Sequence, residues 1–310
     1  MTYVLITGGA GFIASELADQ LLKSDKYHLI LVDNLLTGDL AKVPKHDRVS
    51  FFNVDVNNYQ SIAEVFASFR ISYVFHYAAM VGVLRTLANP VGVLNDVDGI
   101  KNILNLSKTH QVKRIFYASS SEVYGEPVEF PQNEETTPLN SRLPYAIVKN
   151  IGEAYLRAYH QEFNLDYTIF RFFNTYGVKQ SKDFVVSKFI NAALSNQDIT
   201  IYGDGSQSRT FCFVTDNVTS CIAAFEQDKY VNDVMNIGST TETSVKKLAE
   251  LIIELTESQS RIIHTKPLAE GDMTRRLPDN SKMLALLNRP LIPLEEGIKQ
   301  ILNNPKYILG

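Results

Sequence analysis

TGGAGFIAS, residues 7–15, follows the short apolar run Tyr3–Thr7 and opens a stretch of helical periodicity, Phe12–Lys23. Gly8, Gly11 and Ala14 fall at the spacing of a strand–turn–helix that cradles a pyrophosphate. The glycines let the backbone come close, and the helix start presents free N–H groups and the positive end of its dipole. Ala is tolerated at the third position. A glycine spacing alone also fits a plain structural turn, so its context matters. Asp33-Asn34 ends the next apolar strand, His28–Val32. A carboxylate there accepts hydrogen bonds from both ribose hydroxyls and repels a 2′-phosphate, which predicts NAD rather than NADP. Asp55, just after Val49–Asn53, has two readings: an acceptor for the adenine amino group, or the cap of a helix over 57–66.

Outward from this unit, Tyr73–Tyr77 and Arg114–Ala118 read as further apolar strands, with helical Ile62–Phe69 and Gly92–Lys108 between them. Continuous apolar strands alternating with helices indicate a parallel sheet covered on both faces, and right-handed crossovers make it doubly wound. The predicted class is α/β. A Rossmann sheet, the NAD-binding domain, spans 1–170, and a smaller mixed α/β substrate-binding region spans 171–310. Some strands of the second region are expected to return to the main sheet. Turns such as Gly203-Asp204-Gly205 mark the change of rhythm, and late helices are predicted at Ser244–Thr256, capped by Ser244, and Ser281–Leu287.

The 310 residues allow one large domain or two, with 45% apolar and 21% charged residues. The net charge of -4 argues against a nucleic-acid binder. Cys212 and Cys221 are too few for a disulfide scaffold and fit a reduced, cytoplasmic compartment. No leader pattern and no membrane-length apolar run is visible. The six scattered histidines lack the spacing of metal ligands, so no metal is expected. His76 reads as a core histidine, and Phe116, Tyr117, Phe211 and Phe213 as packing.

Chemistry enters with Tyr145 and Lys149. Residues four apart on a helix share a face. A lysine ammonium beside a phenol is expected to draw its pKa from about 10 towards neutrality, so the tyrosine serves as acid or base. The pair follows a strand that ends in Ser119-Ser120-Ser121-Glu122, and the carboxyl ends of parallel strands are where ligands bind.

With these residues in view, the chain resembles the extended short-chain dehydrogenase/reductase family of nucleotide-sugar epimerases, dehydratases and decarboxylases. The matching stretches are TGGAGFIAS at 7–15, VDN at 32–34, SSSEVYGEP at 119–127, YAIVK at 145–149, RFFNTYG at 171–177, YGDGSQSRTF at 202–211, NIGS at 236–239 and DMTRRLPD at 272–279. The resemblance implies that Tyr145 takes the proton of the sugar C4 hydroxyl, Lys149 tunes it and holds the nicotinamide ribose, and Ser120 binds the same sugar oxygen. It implies that Gly8, Gly11, Phe12, Ile13, Asp33, Asn34, Asp55, Val56 and Ala78 complete the NAD site. Ser121, Asn174, Val186, Arg209, Arg275 and Arg276 are the implied contacts to the nucleotide-linked sugar.

Ser121 stands where dehydratases carry an aspartate, which argues against 4,6-dehydration. Ser120 with Glu122 is similar to UDP-glucuronate decarboxylases, yet YAAMVGVLRTLANP at 77–90 departs from them and resembles dehydrogenases of GDP-linked heptose from bacterial surface-polysaccharide (capsule) pathways. Net C4 oxidation is therefore the first expectation. A 4-epimerase, a decarboxylase and a non-catalytic NAD-binding regulator are the alternatives. Glu122 reads either as a second acid/base or as a hydrogen-bonding residue of the sugar pocket. Two helices carry surplus apolar residues, among them Leu94, Val97, Ile147, Ile151 and Tyr155, and the resemblance implies a homodimer through a four-helix bundle.

Overall fold

The computed structural model describes residues 1–266 and 275–304, with backbone alone at 83 and 84. The first part of the 272–279 motif lies outside the described residues. Along the N-terminal half the elements are β1 (Thr2–Thr7), α1 (Phe12–Leu21), β2 (Tyr27–Asp33), β3 (Val49–Asn53), α2 (Tyr59–Ser68), β4 (Ile71–His76), α3 (Val83–Ala88), α4 (Pro90–Leu94), α5 (Asp96–Thr109), β5 (Arg114–Ser120), α6 (Pro144–Phe163) and β6 (Asp166–Phe172). There follow β7 (Thr175–Tyr176), α7 (Val185–Leu194), β8 (Ile199–Tyr202), β9 (Ser208–Thr210), β10 (Cys212–Phe213), α8 (Val214–Glu226), β11 (Asp233–Ile237), β12 (Glu242–Ser244), α9 (Val245–Thr256), β13 (Ile262–Thr265), α10 (Ser281–Leu287) and α11 (Leu294–Leu302).

Seven strands form one sheet in the order β11-β6-β5-β4-β1-β2-β3. Every pairing in it is parallel. The side-chain period of two splits each strand between two cores. Leu5, Ile30, Val74 and Ile115 pack with α2, α5 and α6, whereas Val4, Ile6, Phe75 and Phe116 pack with α1 and α8. A third cluster, around Phe189, Ile201, Phe213, Leu248 and Ile298, belongs to the C-terminal region. The strand order reverses between β1 and β4, which opens a crevice at their carboxyl ends.

Thr7 pins that crevice. Its hydroxyl accepts from the Tyr77 and Ala78 N–H groups at 3.1 Å and bonds His76 Nδ1 at 2.8 Å. His76 is buried, as expected, and burial pushes its pKa down to about 3, so the ring stays neutral. The helix expected as one piece over 92–108 is broken at Asn95. Asn89 accepts from Gly92 N–H and Pro90 starts a separate short α4. Ser244 caps α9 as expected, through Lys247 N–H. No helix among the described residues is long and apolar enough to cross a membrane.

Below the carboxyl ends of β5 and β6 lies a sealed ion pair. Arg171 donates to both Glu153 oxygens at 2.9 and 2.7 Å, and Ser119 donates to the same carboxylate at 2.7 Å. Arg171 also reaches the Tyr124 hydroxyl at 2.9 Å, which donates to Asn236. Removing one partner leaves an uncompensated buried charge. Glu153→Ala is therefore expected to lower the unfolding free energy by about 3–5 kcal/mol in urea denaturation. A loss below about 1 kcal/mol, typical of an exposed pair, would show that solvent reaches the guanidinium.

Candidate active site

The glycine turn after β1 has the geometry its sequence suggests. Gly8 sits at φ +71°, and a Cβ there would lie 2.9 Å from the Ala78 nitrogen. A Cβ on Gly11 would lie 2.9 Å from the Gly8 oxygen. Gly11 brings no side-chain cap to α1, so among the described residues no capping side chain engages the first-turn N–H groups of Phe12 and Ile13. Asp33 is buried at the end of β2 and aims at this turn: Oδ2 accepts from Ala10 N–H at 3.0 Å and Oδ1 from Leu35 N–H at 2.8 Å. Each oxygen keeps capacity for a second donor.

Asn34 Nδ2 donates to Asp55 Oδ2 at 3.2 Å, and Asp55 Oδ1 accepts from Asn57 N–H at 2.9 Å. The cap of α2 is Asn58, so Asp55 is free of that duty. Val56 is buried against Gly99. These groups line one edge of the crevice, and the tight turn with its uncapped helix start fits a pyrophosphate.

Pro144 opens α6 and places Tyr145 and Lys149 one turn apart over the end of β5. Lys149 is 3% exposed. Its Nζ donates to the Ala118 carbonyl at 2.6 Å and lies 5.7 Å from the Tyr145 ring centre. Ser120, the last residue of β5, accepts from Glu122 N–H at 3.2 Å, and its hydroxyl lies near enough to Tyr145 to favour the ionised phenol. Glu122 Oε1 accepts from Arg276 Nη2 at 2.7 Å, while Arg276 Nη1 donates to Ser121 at 3.3 Å. Glu122 Oε2 is buried with no hydrogen-bond partner among the described residues.

Burial pushes the Lys149 ammonium down to about 8, and the nearby Asp96 carboxylate resists this. The phenol departs from expectation. Burial, and then Glu122, raise the Tyr145 pKa, while Ser120 and Arg276 pull the other way. The protein's own charges thus hold Tyr145 protonated rather than drawing it to neutrality. Lys149 spends a hydrogen bond on a backbone carbonyl instead of on the phenol.

The remaining predicted residues scatter more. Asn174 donates to the Thr210 carbonyl at 3.2 Å, and half-buried Arg209 donates to the Ser208 carbonyl at 2.7 Å. The adjacent arginines part company. Arg276 is buried on Glu122, whereas Arg275 makes a two-pronged bond to Glu242 and stacks over Phe130 at 4.2 Å. Val186 requires a correction as a side-chain contact. Its side chain is 1% exposed in the third core, because the second residue of α7 faces inward. Sequence reasoning missed Glu153, Arg171 and Asp96, whose partners lie 18 or more residues away or on another element; only the odd presence of charge within buried-looking segments hinted at them.

Comparison with known proteins agrees with this geometry. The description of the NAD dependent epimerase/dehydratase family matches residues 4–238. A UDP-N-acetyl-alpha-D-glucosaminuronate decarboxylase of Bacillus cytotoxicus is 34% identical over 96% of this chain and 95% of its own. A UDP-glucuronate 4-epimerase of Thermodesulfobacterium geofontis is 32% identical over 98% and 96%. Among solved structures, the UDP-glucose 4-epimerase of Thermotoga maritima with UDP-glucose superposes over all of both chains with a TM-score of 0.93 at 31% identity. The chain belongs to the NAD-dependent epimerase/dehydratase family of extended short-chain dehydrogenases/reductases.

Proposed function

We propose that this enzyme is a 4-epimerase of a UDP-linked sugar, passing through a 4-keto sugar and ending redox-neutral. The observation that carries the C4 chemistry is the convergence of Tyr145, Ser120 and Lys149 at the carboxyl end of β5, beside the NAD crevice. Gly8, Gly11, Phe12, Ile13, Asp33, Asn34, Asp55, Val56, Ala78 and Lys149 hold the dinucleotide. When bound, NAD supplies the acceptor and later the donor of the C4 hydride, together with a cationic ring. Tyr145 must first lose its own proton, which a positive charge bound beside it would favour; its Oη then takes the O4 proton and gives it back. Ser120 bonds the same oxygen and keeps it within reach of the phenol. The Ser120 hydroxyl and the Arg276 guanidinium counter the rise that burial imposes on the phenol. Asn174, Arg209, Arg275 and Arg276 are the candidate contacts to the UDP-sugar, with Ser121; Val186 offers its backbone only.

The relatives favour this redox-neutral reading over net oxidation of a GDP-linked heptose, since they act on UDP-sugars as epimerases and decarboxylases. One observation supports decarboxylation as a second reading. The buried Glu122–Arg276 pair flanks Tyr145, and Glu122 keeps one oxygen without a partner there. A homodimer is also proposed. Val91, Leu94 and Ile147 are exposed on α4 and α6, 70%, 44% and 39% respectively, and want cover.

Mixing the protein with NAD and UDP-glucose should yield the C4 epimer without lasting absorbance near 340 nm. Stoichiometric NADH would overturn the epimerase in favour of a net dehydrogenase, and CO₂ from a UDP-uronate would establish the decarboxylase. Tyr145→Phe is expected to cost about 10²–10⁴-fold in turnover while NAD affinity stays nearly unchanged. Wild-type activity in that variant would remove the proposed base. Sedimentation at micromolar concentration should show a dimer; a monomer would count against the helical interface.

A further inference from the structure

NIGS at 236–239 is a sequence motif to which the mechanism above gives no task. Asn236 of β11 is fully buried, and its side-chain amide spends both donors and its acceptor. Oδ1 accepts from the Tyr124 hydroxyl at 2.7 Å. Nδ2 donates to the carbonyls of Gln132 at 2.9 Å and Asp279 at 3.2 Å. The partners fix which way the amide points. Two carbonyls can only accept, and the Tyr124 hydroxyl, which accepts from Arg171, has one proton to give.

These partners stand on the two sides of the buried Glu122–Arg276 pair. Tyr124 closes the 3₁₀ turn Ser121–Tyr124, which carries Ser121 and Glu122. Asp279 belongs to the strip 276–279, which carries Arg276. Gln132 binds the same strip twice: its N–H donates to the Leu277 carbonyl at 2.7 Å, and its carbonyl accepts from Asp279 N–H at 2.8 Å. Gly238 meets the strip directly. A Cβ there would lie 2.7 Å from Phe173 Cβ and 3.0 Å from Pro278 Cγ, and Asn280 Nδ2 donates to its carbonyl at 2.8 Å. From this mounting Arg276 reaches Glu122 at 2.7 Å and Ser121 at 3.3 Å.

We propose that Asn236 is a positioning residue for Arg276: its amide ties the turn of Glu122 to the strip 276–279 and so sets the guanidinium for the UDP-sugar. The proposal rests on the reading of Arg276 as a contact to that ligand. The bonds explain why an amide stands here. A carboxylate would turn an oxygen towards two carbonyls, and an apolar side chain would leave both carbonyls and the Tyr124 hydroxyl without this partner. A plain alternative is that Asn236 only satisfies buried groups, so that its loss loosens the fold at large. In that case the dinucleotide and sugar-nucleotide sites suffer together.

The test is calorimetric titration of UDP into NAD-saturated protein, with NAD titrated separately. UDP does not react, so the outcome is independent of whether the enzyme epimerises. Arg276→Gln keeps a donor for Glu122 and removes the charge. It should weaken UDP about tenfold or more, the order of one hydrogen bond to a charged group. Asn236→Asp, close in shape, should weaken UDP in the same way and leave NAD affinity nearly unchanged. Because Asn236 acts through Arg276, the double variant should bind UDP no more weakly than Arg276→Gln alone. Three results overturn the proposal and leave the reading of Arg276 standing: wild-type UDP affinity in Asn236→Asp alone, equal losses for NAD and UDP, or multiplied losses in the double variant. Wild-type UDP affinity in Arg276→Gln overturns that reading and the proposal with it. Should Asn236→Asp fold poorly, Tyr124→Phe keeps the ring and removes the hydroxyl tie. It should weaken UDP in the same direction by less, and no change there counts equally against the proposal.

Discussion

A buried ammonium on a backbone carbonyl sets the rest of this molecule in place. Lys149 is almost wholly out of water, and its hydrogen bond to Ala118 fastens α6 to the carboxyl end of β5. A charge so placed is costly unless anions and dipoles surround it. The answer comes from two elements: the Ala118 carbonyl and the Tyr117 ring face from β5, and the negative charge of Asp96 from α5. Because α6 is held there, Tyr145 meets Ser120. One turn further on, Glu153 meets Ser119 and Arg171, so the same helix anchors both the chemistry and the core beneath it.

The second requirement is the reversal of strand order between β1 and β4. Thr7 and the neutral His76 hold the two strand ends in register, and Ala78 is pressed against Gly8 too closely for any side chain there. The proposed cofactor edge of Asp33, Asn34 and Asp55 and the proposed catalytic edge of Tyr145 and Ser120 then stand at the carboxyl ends of one sheet. The second region contributes Arg276, which crosses to Ser121 and Glu122 and closes the site from the far side.

Much of this was legible in the sequence, for reasons that differ by residue. The apolar runs became strands because a sheet covered on both faces demands continuous hydrophobicity. The glycine turn and Tyr145–Lys149 were readable because each is a local pattern whose spacing is its geometry. Asp55 was ambiguous because a carboxylate before a helix serves as a cap or as a ligand group equally well, and the capping bond of Asn58 removes the first reading. The break at Asn95 was hidden because the apolar period continues across it. Arg275 and Arg276 are adjacent, so no pattern could separate the surface pair with Glu242 from the buried one with Glu122. The phenol pKa was misjudged because sequence spacing gives the neighbour and not the burial, and here burial outweighs it.

In the proposed reaction, hydrogen leaves and returns to C4 as hydride within one active site. Its most direct measurement is the fate of deuterium placed at C4 of UDP-glucose, followed by NMR of the epimerised product. The label should stay at C4 in both epimers, with none appearing in water. Exchange of the C4 label with solvent, or its accumulation in released reduced dinucleotide, would contradict it.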